Sequence, residues 1–200
     1  QEPSGWAVCA WVRYTRGRYR EAITLYDKAL LLNPFKAVWF NMRANCYSAL
    51  KDNIRAVVDY TSALDCDPYL QEAWVNRADA RLELGDLEGA LADATRIIEL
   101  APRYGWGYAK RGEVRAARRD LIGAEYDFGR AVQFVGSQGD FMYRHVQSLR
   151  ALKRFEDAAS LAERYAAGHD RPGEAARLRD LREEVLLEKS GSLSARPPGQ

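Results

Sequence analysis

The sequence predicts an all-α fold built from repeated helix–turn–helix units. Proline recurs every 34 residues, at Pro34, Pro68 and Pro102. Alanine recurs five times at the same spacing, at Ala22, Ala56, Ala90, Ala124 and Ala158. Each interval holds two amphipathic runs separated by a short polar break. A period of this length indicates a unit that cannot bury its apolar side alone and therefore stacks on its neighbours.

Five units follow when each is numbered so that its proline falls at position 32. They are residues 3–36, 37–70, 71–104, 105–138 and 139–172, the last of them degenerate. Position 8 is small in four units, and position 4 is aromatic in four. On a helix that advances about 100° per residue, positions 4, 8 and 11 share one side. The small residues are therefore expected to let the two helices of a unit approach closely.

The combined register of aromatic residue, alanine and proline resembles the tetratricopeptide repeat, with its W-x2-L-G-x2-Y, A-x3-F and P pattern. The resemblance covers residues 3–172. It implies a right-handed solenoid whose concave groove is lined by the first helix of each unit. Leu178, Leu181 and Val185 then lie at helical spacing, so residues 173–189 are expected to form a capping helix. Residues 190–200 are rich in Ser, Gly and Pro and are expected to be disordered.

Units two to four share an arginine at position 7 and an aspartate at position 23, and the end units lack both. Because the arginine and the aspartate occur together in three units and are both missing from the other two, we predict that they pair within one unit. The predicted structural ion pairs are Arg43–Asp59, Arg77–Asp93 and Arg111–Asp127. The same units carry an aspartate at position 16, where it would cap the second helix: Asp52, Asp86 and Asp120.

Composition and motifs provide no support for catalysis, a metal site or a cofactor. The three cysteines lack a C-x-x-C pairing, and are expected to be semi-buried apolar residues. Neither histidine has a partner at metal-ligand spacing, and His145 is expected to pack between helices. The net charge of +2 is small for a nucleic-acid partner, although Arg115, Arg118, Arg119 and Arg150 leave RNA as a remote alternative. No apolar run is long enough to cross a membrane.

The groove implied by the resemblance would display positions 2, 5, 9 and 12 of each first helix, with 6 and 13 at its margins. The residues predicted to bind a peptide there are Asn41, Asn45, Asn76, Asp79, Trp106, Lys110, Tyr143 and Arg144. Amides suit a peptide backbone because each offers a donor and an acceptor. Trp11 and Tyr14 have two interpretations, contact with a ligand or packing against an upstream repeat or domain, because the first unit has no neighbour on its N-terminal side.

The predicted function is a protein–protein interaction module that binds a partner peptide or helix in the groove. The alternative is a scaffolding or regulatory arm of a larger enzyme or assembly. A third interpretation is the carboxylate clamp by which co-chaperone repeats of this family hold heat-shock protein C-termini. Asn45 and Asn76 match that clamp and Lys110 replaces its arginine, but Asn41 and Trp106 replace its two lysines. A cytoplasmic location is expected.

Overall fold

The computed structural model describes residues 2–136 and 139–191. Within these ranges all regular structure is helical, in eleven helices and no strands. The helices are α1 Pro3–Thr15, α2 Tyr19–Leu32, α3 Ala37–Ala49, α4 Asn53–Cys66, α5 Gln71–Glu83, α6 Leu87–Leu100, α7 Gly105–Ala117, α8 Leu121–Val135, α9 Gly139–Ala151, α10 Phe155–Ala167 and α11 Pro172–Lys189.

The helices belong to two compact bodies, Gln1–Pro102 with α1–α6 and Arg103–Gln200 with α7–α11. In the first body each helix packs on the next in sequence, and α3 also contacts α1 and α5. In the second body α7 to α11 pack in the same sequential manner, and α9 also contacts α11. Packing between neighbours in sequence is what a helical-repeat architecture requires.

Close approach of the paired helices depends on small side chains at two positions. The alanine at position 20 is completely buried in all five units: Ala22, Ala56, Ala90, Ala124 and Ala158. Position 8 is also buried in each unit, at Ala10, Ala44, Ala78, Gly112 and Val146. At position 20 a larger side chain would force the helices apart, because protein interiors are close-packed, whereas position 8 accommodates Val146 in unit five.

The predicted caps of α4, α6 and α8 are confirmed. The side chains of Asp52, Asp86 and Asp120 accept backbone N–H groups at 3.1, 2.9 and 3.0 Å. Each bond satisfies one donor that the first turn of a helix would otherwise leave without a partner.

The turn before each second helix contains a left-handed residue at position 15. These residues are Gly17, Lys51, Gly85, Arg119 and Lys153, with φ between 59° and 78°. Glycine adopts this conformation freely, whereas a residue with a side chain adopts it at a cost of about 1 kcal/mol. The turn geometry is therefore kept even where the chain has a lysine or arginine instead of glycine.

Each of the three arginines at position 7 lies against the aspartate predicted for it. Two guanidinium nitrogens reach the two carboxylate oxygens at 2.7 and 2.7 Å in the Arg43–Asp59 pair. The distances are 3.0 and 2.8 Å for Arg77–Asp93, and 2.9 and 2.7 Å for Arg111–Asp127. Bidentate geometry of this kind joins the first helix of a unit to its second helix.

The structure also shows partners that the pairing pattern did not reveal. Arg43 reaches back to Asp27 of the preceding unit at 2.5 Å, and Arg77 donates to Thr61 at 3.0 Å. A second arginine, four residues further along the first helix, binds the same aspartate in two units. Arg81 contacts Asp93 at 2.7 Å and Arg115 contacts Asp127 at 2.8 Å. The aspartate is therefore shared by two guanidinium groups.

The helix α11 packs the apolar residues at its predicted spacing against the end of the second body. Leu181 and Val185 join the buried cluster of α9 and α10, and Leu178 packs with Met142 and Ala166. Its polar side carries ion pairs, including Arg150 with Glu184 and Glu188. Of the predicted disordered tail, residues 192–200 lie outside the described part of the chain.

His145 packs between helices, as the sequence predicts. Its Nδ1 lies 2.8 Å from the hydroxyl of Tyr165 in α10, and its Nε2 lies 3.2 Å from Glu125 in α8. His145 stands at position 7, so the imidazole joins helices at the position where arginine does so in units two to four. Burial lowers the pKa of His145, although the Glu125 carboxylate raises it.

We expect acid to destabilise the protein through His145. Because the pKa of His145 is lower in the folded chain, the unfolded chain binds a proton first as the pH falls below about 6.5. The contribution of neutral His145 is therefore present above this pH and is lost below it. Urea unfolding at about pH 7.5 and about pH 5 measures the loss. His145→Gln is the control, and an equal pH dependence in both proteins would contradict the assignment.

The cysteines depart from the expected semi-buried state. Cys9 and Cys66 are exposed, and Cys46 alone is buried. Helical position explains the difference, since position 10 of the first helix lies between paired helices and holds Cys46 in the core of α1, α2 and α3. Burial raises the pKa of the Cys46 thiol to about 12, so it stays protonated and behaves as a small apolar residue.

Candidate functional site

Side chains of α1, α3, α4 and α5, with one from the turn after α3, line an open pocket of about 410 Å³ in the first body. We call it the amide pocket, and its polar lining is Tyr14, Asn45, Ser48, Lys51, Tyr60, Asn76 and Asp79. Three of these residues, Asn45, Asn76 and Asp79, belong to the predicted groove set. The structure therefore brings together predicted residues from two successive units, 31 and 34 residues apart in the chain.

Asn45 stands at the centre of the amide pocket. Its Oδ1 accepts a hydrogen bond from the Tyr60 hydroxyl at 2.7 Å and another from Asn76 Nδ2 at 3.1 Å. Two donors on one oxygen fix the rotation of the amide, so its Nδ2 group faces the opposite way and lies 3.8 Å from Met42 Sδ. Burial raises the pKa of Tyr60, which keeps the hydroxyl protonated and able to donate.

Lys51 is a pocket residue that the helix periodicity missed, because it lies in the turn after α3. Its Nζ reaches Glu83 at 3.2 Å, and Asn53 donates to the same carboxylate at 2.9 Å. Hydrogen bonds from Asn53 and Lys51 lower the pKa of Glu83, so that carboxylate is ionised at neutral pH. The cation at the mouth of the amide pocket therefore already faces an anion of α5.

A second open pocket of about 420 Å³ lies between α1 and α3, and we call it the apolar pocket. Its lining includes Ala7, Val8, Trp11, Val38, Trp39 and Met42. Trp11 is 55% exposed and Val8 is 63% exposed. Large apolar side chains left open beside a pocket are typical of a surface that contacts a partner.

Tyr14 and Trp11 are thus placed differently. Tyr14 packs against Tyr19 with ring centroids 5.6 Å apart and belongs to the edge of the core of α1, α2 and α3. Trp11 projects from that core into the apolar pocket. Whether either residue also packs on an upstream segment stays a prediction.

The expected exposure of Asn41 is wrong. Its side chain is only 2% exposed, and its Oδ1 has no hydrogen-bond partner in the described chain. The residues at the same position 5 in units one and four, Ala7 and Ala109, are buried as well. Position 5 is therefore buried in units one, two and four, whereas Val75 and Tyr143 at the same position are only partly buried, and the helical periodicity of one unit does not reveal this.

The predicted groove residues of the second body make three separate sets of contacts. Lys110 and Glu113 are 3.0 Å apart, and Arg144 reaches Glu113 at 3.5 Å. Trp106 packs edge-on against Phe141 with a centroid separation of 4.9 Å. Tyr143 instead lies under the Arg177 guanidinium of α11 at 4.2 Å and accepts a hydrogen bond from Gln147. The predicted cation Lys110 is thus neutralised by an acid of its own helix.

A metal site finds no support in the parts of the chain that the structure covers, where no group of three or more His, Cys, Asp or Glu could hold an ion. Within the same residues no helix is both long and apolar enough to cross a membrane.

Stacked helix–turn–helix units of constant length define a helical-repeat protein. Residues 71–104 match the family model described as tetratricopeptide repeat, and this segment contains α5 and α6. Residues 71–104 therefore form a tetratricopeptide repeat, within a chain whose other units share its helix–turn–helix form. Repeats of this family are typically interaction scaffolds rather than enzymes, and the fold supports a protein–protein interaction module.

Solved structures share the fold over most of the chain. Pseudomonas aeruginosa PilF has a TM-score of 0.76 at 16% identity, covering 96% of this chain and 87% of its own. TTC0263, a thermophilic TPR protein of Thermus thermophilus, has a TM-score of 0.69 at 19% identity, covering 92% of this chain and 99% of its own. Identities this low show the fold alone.

A further structure was solved with a ligand. The first TPR of Spaghetti (RPAP3), bound to the HSP90 peptide SRMEEVD, has a TM-score of 0.57 at 27% identity. The alignment covers 60% of this chain and 94% of the RPAP3 chain. A search of curated protein sequences gives no match.

Proposed function

We propose that residues 2–102 bind an extended segment of a partner protein across α1, α3 and α5. The observation that carries the proposal is the fixed amide of Asn45, held by Tyr60 and Asn76 within an open pocket. An amide whose orientation is set before binding loses little freedom when it bonds a peptide backbone. In this function the chain catalyses nothing and needs no cofactor.

The adjoining apolar pocket supplies the second requirement of peptide recognition. Backbone hydrogen bonds alone do not distinguish one sequence from another, whereas a pocket for a side chain does. Trp11, Val38 and Met42 offer such a pocket on the neighbouring part of the same helices. The first TPR of RPAP3, which is similar to part of this chain, was solved bound to the HSP90 peptide SRMEEVD, and this supports a peptide as the ligand.

A scaffolding or regulatory arm remains the second candidate function. It is favoured by exposed apolar residues on the second helices, such as Ile54 and Val58 on α4. On an isolated module these side chains would face solvent, so a docking partner for α4 would bury them. In this function the amide pocket would not bind a ligand.

Selection of a displayed random octapeptide library on the full chain tests the proposal. We expect the selected peptides, once synthesised, to bind the Asn45→Ala/Asn76→Ala variant about 10- to 30-fold more weakly, because two hydrogen bonds of about 1 kcal/mol each are lost. Gln133→Ala, an exposed amide of α8, is the control and should bind like the wild type. Equal binding by the double variant, or no selected peptide, would overturn the proposal.

A further inference from the structure

Exposed apolar side chains lie at the end of α2 and in the turn that leads to α3. Leu31 is 85% exposed and Phe35 is 82% exposed. These residues stand at positions 29 and 33 of unit one, where unit three has the polar residues Glu99 and Arg103. The repeat fold therefore does not require large apolar side chains at these positions, and their exposure is typical of a surface that contacts a partner.

An open pocket of about 460 Å³ lies beside this turn, and we call it the turn pocket. Its lining includes Pro34, Phe35, Phe40, Asp65 and Cys66. Phe40 also packs against the buried core of α3, α4 and α5, so it gives the pocket a fixed apolar wall. The same surface thus carries an exposed aromatic ring and a recess that could accept one.

Two exposed charges of opposite sign lie at the turn pocket. Lys36 follows Phe35 in the chain, and Asp65 lines the pocket from the end of α4. In the described part of the chain neither of these two side chains forms an ion pair. A partner that complements this surface needs an aromatic ring with a cation beside it, and a recess with an anion beside it. The surface itself has both, so it is complementary to a second copy of itself.

From this self-complementarity we propose that two copies of the chain associate through their turn pockets. Phe35 of each copy packs over the turn pocket of the other, and Lys36 of each copy faces Asp65 of the other. The contact closes as a two-fold pair, because both copies use the same surface. The turn pocket shares no lining residue with the amide pocket or the apolar pocket, so the dimer does not depend on the proposed function.

Sedimentation equilibrium of the full chain tests the association. A contact between two turns is small beside a standard interface of about 800 Å² per partner, so we expect dimers to form at about 10–100 µM. Phe35→Ala should raise the dissociation constant about tenfold or more, because an aromatic anchor is lost. Ile122→Ala, a similarly exposed apolar residue of α8, is the control and should associate like the wild type. A chain that stays monomeric at about 500 µM would overturn the proposal.

Charge reversal tests the two-fold arrangement. Lys36→Glu and Asp65→Lys should each weaken association severalfold, because two pairs of like charges then face each other. The double variant Lys36→Glu/Asp65→Lys should recover most of the association, because both pairs again have opposite charges. If the single variants associate like the wild type, or if the double variant shows no recovery, the two-fold contact is overturned.

The thiol of Cys66 reports on contact at the turn pocket directly. Cys46 is buried, so in a Cys9→Ser variant Cys66 is the exposed thiol. Its reaction with a maleimide should slow severalfold when the chain concentration rises from well below to well above the dissociation constant. The Cys9→Ser/Phe35→Ala variant should show no such slowing at the same concentrations. An unchanged rate in a chain that does form dimers would place the contact elsewhere and overturn the proposal.

Discussion

Replacing Asp93 by alanine is expected to lower the free energy of unfolding by about 3–5 kcal/mol, the usual effect of removing one partner from a buried ion pair. The Asp93 side chain is only 2% exposed and receives bonds from Arg77 at 3.0 and 2.8 Å and from Arg81 at 2.7 Å. Without the carboxylate, two guanidinium groups lose their buried counter-charge. Urea denaturation followed by far-UV circular dichroism measures the loss.

Two further variants separate the buried pair from charge in general. Arg77→Met combined with Asp93→Leu fills the same space without charge, and should be more stable than Asp93→Ala. Arg96→Ala breaks an exposed pair with Glu99 and should cost less than about 1 kcal/mol. A loss of less than about 1 kcal/mol for Asp93→Ala would show that the shared aspartate does not hold the helices of its unit together.

The sequence predicts the architecture well because the repeat period is a packing requirement. Alanine recurs at position 20 since no larger side chain fits where the paired helices meet, and the structure buries all five of these alanines completely. The partners of Arg77 and Arg111 could be predicted for a similar reason. In each of these units the arginine at position 7 occurs with an aspartate at position 23, so the same pairing within a unit predicts both contacts.

The site was less predictable because the helical periodicity gives the side of the helix on which a side chain lies, but not how far neighbouring elements bury it. Asn41 lies at a position that a single helix would present outward, yet its side chain is buried in the folded chain. Lys51 enters the amide pocket from a left-handed turn, where the helical register no longer applies. Arg43 finds its second partner, Asp27, in the preceding unit. Each of these contacts depends on how units stack, which a repeat unit taken alone does not contain.

Tyr60 connects the stability of the first body with its proposed binding surface, and Tyr60→Ala is expected to cost about 3–5 kcal/mol. The ring is almost fully buried in the core of α3, α4 and α5 beside Ala44, Ala63 and Ala73. Removing it leaves a cavity among alanines, whose short side chains cannot collapse to fill the space. Urea denaturation should show this loss, with Tyr126→Ala, an exposed tyrosine of α8, as the near-neutral comparison.

Tyr60→Phe then isolates the role of the hydroxyl. It keeps the ring in the core and removes the hydroxyl, which donates to Asn45 at 2.7 Å and also hydrogen-bonds with Ser48, so the loss of stability should be about 1 kcal/mol. The Asn45 amide then keeps the bond from Asn76 but loses one of its two donors and is less firmly oriented, so peptide binding should weaken severalfold while Tyr126→Phe binds normally. A Tyr60→Phe protein that binds selected peptides as tightly as the wild type would show that the orientation of Asn45 is not what prepares this surface for a ligand.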